Sequence, residues 1–184
     1  MKRAGPIKVP VHREPPFYYL ARAIVFQQLA GAAARTIHGR FIEALGGDVS
    51  PAKVLRVRET TLRKAGLSAA KLAAIRDLAT KVKSGEVEVH DLEEQSDDEV
   101  IRRLTVVRGI GPWSAQMYLM FRLHRPDVWP VGDLGVRAGF ATVHGMSGHP
   151  TQKELEPLGD AYRPWRSAAA WYCWRAVDLE RKKK

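Results

Sequence analysis

The 184-residue chain has a single cysteine, Cys173. One cysteine closes no internal disulfide, completes no four-cysteine zinc site and holds no iron–sulfur cluster. It lies among apolar residues in AAAWYCWRA, so a buried, inert thiol is expected. No apolar run approaches the ~20 residues of a membrane span. The opening MKRAGPIKVPVHREPP is basic and lacks the apolar stretch of a signal peptide. An intracellular, soluble chain without a membrane partner is the expectation. Strand signal is scarce too, with only Val87-Glu88-Val89 alternating in the manner of a strand. The histidines (His12, His38, His90, His124, His144 and His149) show no metal-ligand spacing, so local structural roles and no metal site are expected of them. No internal repeat appears, and the only biased stretch is the basic end Arg181-Lys182-Lys183-Lys184, read as a solvated tail.

What the chain does have is positive charge: a net +10 and an isoelectric point near 10.0. Such a protein commonly meets a polyanion, nucleic acid above all, although a charged surface with a basic tail gives the same number. A hydrophobic content of 45% is enough for a real core. The length suits one domain over 1–184, or two small lobes sharing one core.

Local signals predict about ten short helices and an all-α class. Residues 1–16 read as a basic, Pro-rich arm or packed extended segment. Pro15-Pro16 then opens a helix with Phe17, Leu20, Ala21, Ile24, Val25 and Gln28 on one face. Gly31 marks a break before a helix over 32–45, which Gly46-Gly47 ends. Ser50-Pro51, Glu59 and Ser68 begin three more, the last with Leu72, Ile75, Leu78, Ala79 and Val82 at helical spacing. Ser96-Asp97-Asp98-Glu99 reads as a capping box. Helices follow from Pro112 to about Leu123, from Leu134 to about Val143, over 151–162 and over 164–178, with 145–150 as a loop.

Two features carry chemistry. Arg108-Gly109-Ile110-Gly111-Pro112 sits between two apolar helical segments, giving a hairpin motif over about 104–123. Glycine permits positive φ and close approach of a phosphate, and N–H groups at the following helix start favour an anion. The pattern is that of a helix-hairpin-helix gripping DNA backbone without reading bases. Glycine in a tight helix–helix turn also serves packing alone. The second feature is Asp133, after Trp129-Pro130-Val131-Gly132 and before Leu134. A carboxylate there can be a plain N-cap, a catalytic group, or both.

Five ordered blocks carry a resemblance: AIVFQQLAGAAA (23–34), AGLSAAKLAAIRDLA (65–79), LTVVRGIGPWSAQMYLMF (104–121), RPDVWPVGDLGVRAG (125–139) and YRPWRSAAAWYCW (162–174). Residues 17–178 resemble the helix-hairpin-helix/Gly-Pro-Asp DNA glycosylases, specifically the DNA-3-methyladenine glycosylase II branch, in a compact form without an N-terminal β domain. The resemblance implies a two-lobed all-α fold and hydrolysis of the N-glycosidic bond of flipped-out alkylated purines. Asp133 would be the catalytic carboxylate. Trp113 and Trp174 would line the base pocket, with Met117 and Tyr118 as further candidates. Arg108, Gly109, Gly111 and Ser114 would hold the DNA backbone. Gln28 or Leu29, in the Gln27-Gln28-Leu29 segment, would wedge into the gap left by the flipped base. Bifunctional relatives carry a lysine nucleophile where this chain has Trp113, so a monofunctional enzyme without lyase activity is implied. No cofactor is required, a monovalent cation can sit at the hairpin carbonyls, and the partner is double-stranded DNA met by a monomer.

Beside Asp133, Arg166 and Ser167 either fix the last helix or contact phosphate. Trp129, Trp165 and Trp171 are expected in the core. Three other readings stay open: a glycosylase for deaminated or oxidised bases, a non-catalytic DNA-binding module, and a basic structural or RNA-associated helical protein.

Overall fold

The computed structural model describes residues 4–181. Among these every regular element is helical: α1 (Pro16–Phe26), α2 (Gly31–Ala44), α3 (Pro51–Arg56), α4 (Glu59–Lys64), α5 (Ala69–Ser84), α6 (Asp97–Thr105), α7 (Pro112–Phe121), α8 (Leu134–His144), α9 (Gln152–Leu158) and α10 (Arg166–Arg181), with a 3₁₀ turn over Gly159–Tyr162. The all-α expectation holds. No helix is long and apolar enough to cross a membrane, and no cluster of His, Cys, Asp or Glu suited to a metal occurs among the described residues. The chain forms two compact units, one from His12 to Ala115, the other from the segment up to Val11 together with the chain from Gln116 onward.

In the first unit α1 starts with Pro16 in its first turn and buries Phe17, Tyr19, Leu20, Ala21, Ile24 and Val25. Gln28, expected on that face, lies beyond the helix, exposed and with φ 55°. The apolar period runs past Phe26, but the backbone turns there before Gly31 starts α2. The Ser68 hydroxyl accepts from Lys71 N–H at 3.2 Å and caps α5, which packs on α1 and α3 through Leu72, Ile75, Leu78 and Ala79. Ser96 likewise caps α6, accepting from Glu99 N–H at 3.3 Å. The returning half of the expected capping box is diverted, because the Glu99 carboxylate accepts from Arg102 and Arg103 at 2.6–2.7 Å. These guanidinium groups hold the Glu99 carboxyl down at about 2. The expected strand at 87–89 does not form. Val87 and Val89 are both buried, so their alternation reports burial of two side chains in a bent connecting segment, not pairing.

In the second unit α8 lies against α10. A Cβ at Gly139 would sit 2.0 Å from the Cys173 carbonyl oxygen, so the two backbones touch where only glycine fits. Cys173 is buried, and desolvation pushes its thiol up to about 12, the inert state expected of it. A true capping box opens α9: Thr151 Oγ1 accepts from Glu154 N–H at 3.3 Å, and the Glu154 carboxylate accepts from Thr151 N–H at 2.7 Å. The single helix expected over 151–162 tightens at Gly159 into the 3₁₀ turn, where a Cβ would strike the Trp129 ring at 2.5 Å. The last helix begins at Arg166, two residues later than Pro164 suggested. Trp129 is buried and donates Nε1–H to Leu155 O at 3.0 Å. Trp171 is half-buried under the Arg175 guanidinium, 5.7 Å from its ring centre. Trp165, expected in the core, is 64% exposed, because it precedes α10 and the apolar period does not extend to it. The N-terminal segment packs on α10 through Tyr172 Oη to Gly5 O and Arg175 Nε to Ala4 O, each at 3.4 Å. Lys182, Lys183 and Lys184 of the basic end lie outside the described residues.

The Gly139 contact predicts that Gly139→Ala lowers stability by at least about 2 kcal/mol, since the clash falls on backbone and not on a flexible side chain. Gly148→Ala, where a Cβ meets nothing within 4 Å, should change it by less than about 0.5 kcal/mol. Urea unfolding of the two variants checks the difference.

Candidate active site

Asp133 is the N-cap of α8. Its Oδ1 accepts from Val136 N–H at 2.8 Å. The same oxygen accepts from the Trp174 indole Nε1–H at 2.8 Å. The approach is a tight turn, with Val131 N–H on Trp129 O at 3.0 Å and Asp133 N–H on Pro130 O at 2.9 Å. Two donors and a helix N-terminus thus complement the charge of a half-buried carboxylate and fix its orientation. The cap and site readings of Asp133 are therefore compatible.

Trp174 is positioned in turn. Its ring stacks on Phe121, with centroids 5.8 Å apart and planes 28° apart. A Cβ at Gly135 would fall 2.8 Å from Trp174 Cδ1 and 3.0 Å from Asp133 Oδ1. Glycine at 135 therefore leaves the space in which the indole reaches the carboxylate. Neither Phe121 nor Gly135 stands out in the sequence, because both matter only through α10.

The loop before Asp133 is anchored to the start of α10. Arg166 Nε donates to Asp127 Oδ1 at 2.7 Å, and its Nη2 to Asp127 Oδ2 at 3.0 Å and to Asp127 O at 2.8 Å. Arg163 adds a bond to Oδ2 at 2.9 Å. The Arg166 hydrogen bonds, foremost, hold the Asp127 carboxyl below its ordinary range. Ser167 Oγ donates to Arg125 O at 2.7 Å and accepts from Val128 N–H at 3.0 Å. Of the two readings of Arg166 and Ser167, this geometry favours the structural one. In the same unit Met117 is half-buried, whereas Tyr118 is only 2% exposed and is part of the interior, with almost no surface to offer a ligand.

The hairpin belongs to the first unit. Gly109 has φ 79°, a value that favours glycine, and a Cβ there would also press on Ala74 at 3.1 Å. Arg108 N–H is held by Asp77 Oδ2 at 2.8 Å, and Ile110 is buried beneath the turn. Gly111 is exposed and immediately precedes α7, its carbonyl accepting from Ala115 N–H at 3.1 Å. A Cβ at Gly111 would meet nothing within 4 Å, so this side of the turn is open to an approaching group. Trp113, in the first turn of α7, is 44% exposed. Ser114 is half-buried and Arg108 exposed.

The turn after α1 is also exposed. Gln28 adopts its left-handed φ there, and Leu29 is 37% exposed. Gln27, which sequence reasoning passes over in favour of its neighbours, reaches the hairpin. Its Nε2 donates to Gly109 O at 3.0 Å and to Ser114 Oγ at 3.3 Å.

Residues 21–164 match the model of the HhH-GPD superfamily of base excision DNA repair proteins. The chain belongs to that family. It is 34% identical to a DNA-3-methyladenine glycosylase 1 of Schizosaccharomyces pombe, over 92% of this chain and 75% of the relative. A crystal structure of a Bacillus halodurans DNA-3-methyladenine glycosidase is 36% identical and superposes with a TM-score of 0.88, over 99% of this chain and 84% of that one. An S. pombe 3-methyladenine DNA glycosylase, solved in complex with abasic DNA, is 32% identical with a TM-score of 0.82, over 95% and 89% of the two chains. The expected family and fold are thereby established.

The Asp133–Trp174 contact can be read directly by NMR. The Trp174 indole N–H, assigned as the resonance lost in Trp174→Phe, should exchange with solvent at least about tenfold faster in Gly135→Ala, where the ring is pushed off the carboxylate. Unchanged exchange would contradict the packing argument.

Proposed function

We propose that this chain is a DNA glycosylase that hydrolyses the N-glycosidic bond of alkylated purines, of the 3-methyladenine and 7-methylguanine type, in duplex DNA. The observation that carries this reading is the Asp133 carboxylate, fixed at the start of α8 by Val136 N–H and Trp174 Nε1–H. The names of relatives that share the whole of this architecture support it.

Hydrolysis breaks the bond between sugar C1′ and the purine nitrogen. The electron pair leaves with the base, and positive charge develops on C1′ and the ring oxygen. A purine alkylated at N3 or N7 is already cationic and departs neutral, so it needs no strong general acid. One carboxylate then suffices. Asp133 stabilises the sugar cation and accepts a proton from the water that adds at C1′. Its hydrogen bonds hold it where that charge develops, so little reorganisation accompanies the reaction. The electron-rich rings of Trp113 and Trp174 suit a cationic base by stacking, with about 1–2 kcal/mol for such a contact when desolvated.

The hairpin supplies the backbone grip. The open side of Gly111 and the start of α7 accept a phosphate, with Arg108, Gly109 and Ser114 around it. Gln28 and Leu29, on the exposed turn, fill the stack from which the base is removed. Trp113 occupies the place at which a lysine nucleophile would serve a lyase, and an indole forms no Schiff base. The product is therefore an intact strand with an abasic site. No cofactor takes part. The Val107 and Gly109 carbonyls already accept from Ile110 N–H and Gln27 Nε2, yet each oxygen keeps a second lone pair, which suits a monovalent cation that would add positive charge at the turn. The chain acts on DNA as a monomer.

Asparagine also caps helices, so Asp133→Asn separates chemistry from folding. The variant should bind duplex DNA and unfold as wild type does, while single-turnover release of methylated purine falls by about 100-fold or more. Borohydride added to the wild-type reaction should trap no protein–DNA adduct. No release of methylated purine by the wild type, or a trapped adduct, would overturn the assignment.

A further inference from the structure

Gln27 joins the turn after α1 to the hairpin, and the direction of its hydrogen bonds is determined. Gly109 offers a carbonyl, which only accepts, so the amide nitrogen must face it at 3.0 Å. The same nitrogen has a second hydrogen, directed to Ser114 Oγ at 3.3 Å. Ser114 is thereby fixed as an acceptor on its Gln27 side. A hydroxyl has two lone pairs and a single hydrogen, so that hydrogen is turned away from the amide. Ser114 stands in the first turn of α7, where backbone N–H groups and the helix dipole favour an anion.

The turn itself is committed from several sides. Gln28 takes φ 55°, and Leu29 N–H returns to Phe26 O at 3.4 Å. Lys71 Nζ donates to the Val25 carbonyl at the end of α1, at 2.7 Å. Gln27 adds the tie from this braced turn to Gly109 and Ser114, 82 and 87 residues along the chain.

We infer that Gln27 is a positioning residue: it aims the Ser114 O–H at the phosphodiester seated on the hairpin, and it fastens the exposed Gln28–Leu29 turn to that grip. This rests on the hairpin reading proposed above. It makes insertion into the base stack and capture of the backbone one rigid operation. It also sets the chemistry allowed at position 27. Methionine has nearly the same shape and donates nothing. Glutamate only accepts, so it would draw the Ser114 proton inward and place a negative charge beside the phosphate.

The test is the affinity of the full chain for a fluorescein-labelled duplex carrying a tetrahydrofuran abasic analogue, measured by anisotropy at one salt concentration. Ser114→Ala should bind about tenfold more weakly, the size expected for one hydrogen bond to a charged group. Gln27→Met should bind several-fold more weakly than wild type, and Gln27→Glu more weakly still. The double variant Gln27→Met/Ser114→Ala should lose clearly less than the product of the two single losses, since part of the Gln27 effect runs through Ser114 and only the rest through the tie to Gly109 O. Losses that multiply in the double variant overturn the inference and leave the hairpin reading standing. Wild-type affinity in Ser114→Ala overturns the inference and leaves the backbone N–H grip standing, whereas a wild-type chain that does not bind the duplex overturns both. Thermal unfolding of each variant separates a folding defect. Should Gln27→Met unfold early, Gln27→Asn, polar but one methylene short of both acceptors, takes its place in the same cycle with the same outcomes.

Discussion

The chemistry proposed for this chain depends on one oxygen atom. Asp133 Oδ1 receives both the first-turn N–H of Val136 and the indole N–H of Trp174, each at 2.8 Å. The first bond is a local property of a helix start. The second requires α10 to lie so close to α8 that side chains are excluded from the seam. Gly135 and Gly139, one turn apart on α8, are that seam. One makes room for the indole, and the other lets the Cys173 carbonyl touch the backbone of α8. Two residues without side chains thus decide where a carboxylate points.

The grip on DNA proposed for the hairpin rests on different physics. The hairpin has Gly109 in a left-handed conformation, Gly111 open to solvent and a helix start beyond it. None of this distinguishes one base from another, and a glycosylase searching long stretches of DNA gains from that neutrality. The chain's charge of +10 adds attraction at longer range, which weakens with salt. In the proposed reaction discrimination is left to the base itself. A cationic purine both stacks well on indole and leaves readily, so one property of the lesion serves recognition and chemistry.

Features set by near neighbours along the chain are legible in the amino-acid sequence alone. Pro16, Ser68 and Ser96 start their helices as their residue types dictate, and Asp133 is readable both as a cap and as a candidate catalytic carboxylate. The hairpin is legible because glycine and proline at short spacing act locally. What the sequence does not disclose lies between distant segments. Gln27 meets Gly109 across 82 residues, and nothing in QQL marks the first glutamine over the second. Phe121 beneath Trp174 and the glycine seam on α8 are invisible for the same reason. Val87 and Val89 mislead because alternation signals burial whether or not a partner strand exists. Trp165 misleads because a large ring is not by itself a core residue. The roles proposed for Asp133 and Trp174 come from resemblance, and the bond between them comes into view only through the fold.

The central claim is that Trp174 serves the reaction through Asp133. Single-turnover release of 7-methylguanine from duplex DNA, measured for Trp174→Phe, Asp133→Asn and the two combined, tests it most directly. Phenylalanine keeps an aromatic ring over Phe121 while removing the donor and the second ring of the indole. The account predicts that Trp174→Phe alone slows release by about tenfold and that the double variant is no slower than Asp133→Asn. Full activity in Trp174→Phe, or losses that multiply in the double variant, would contradict it.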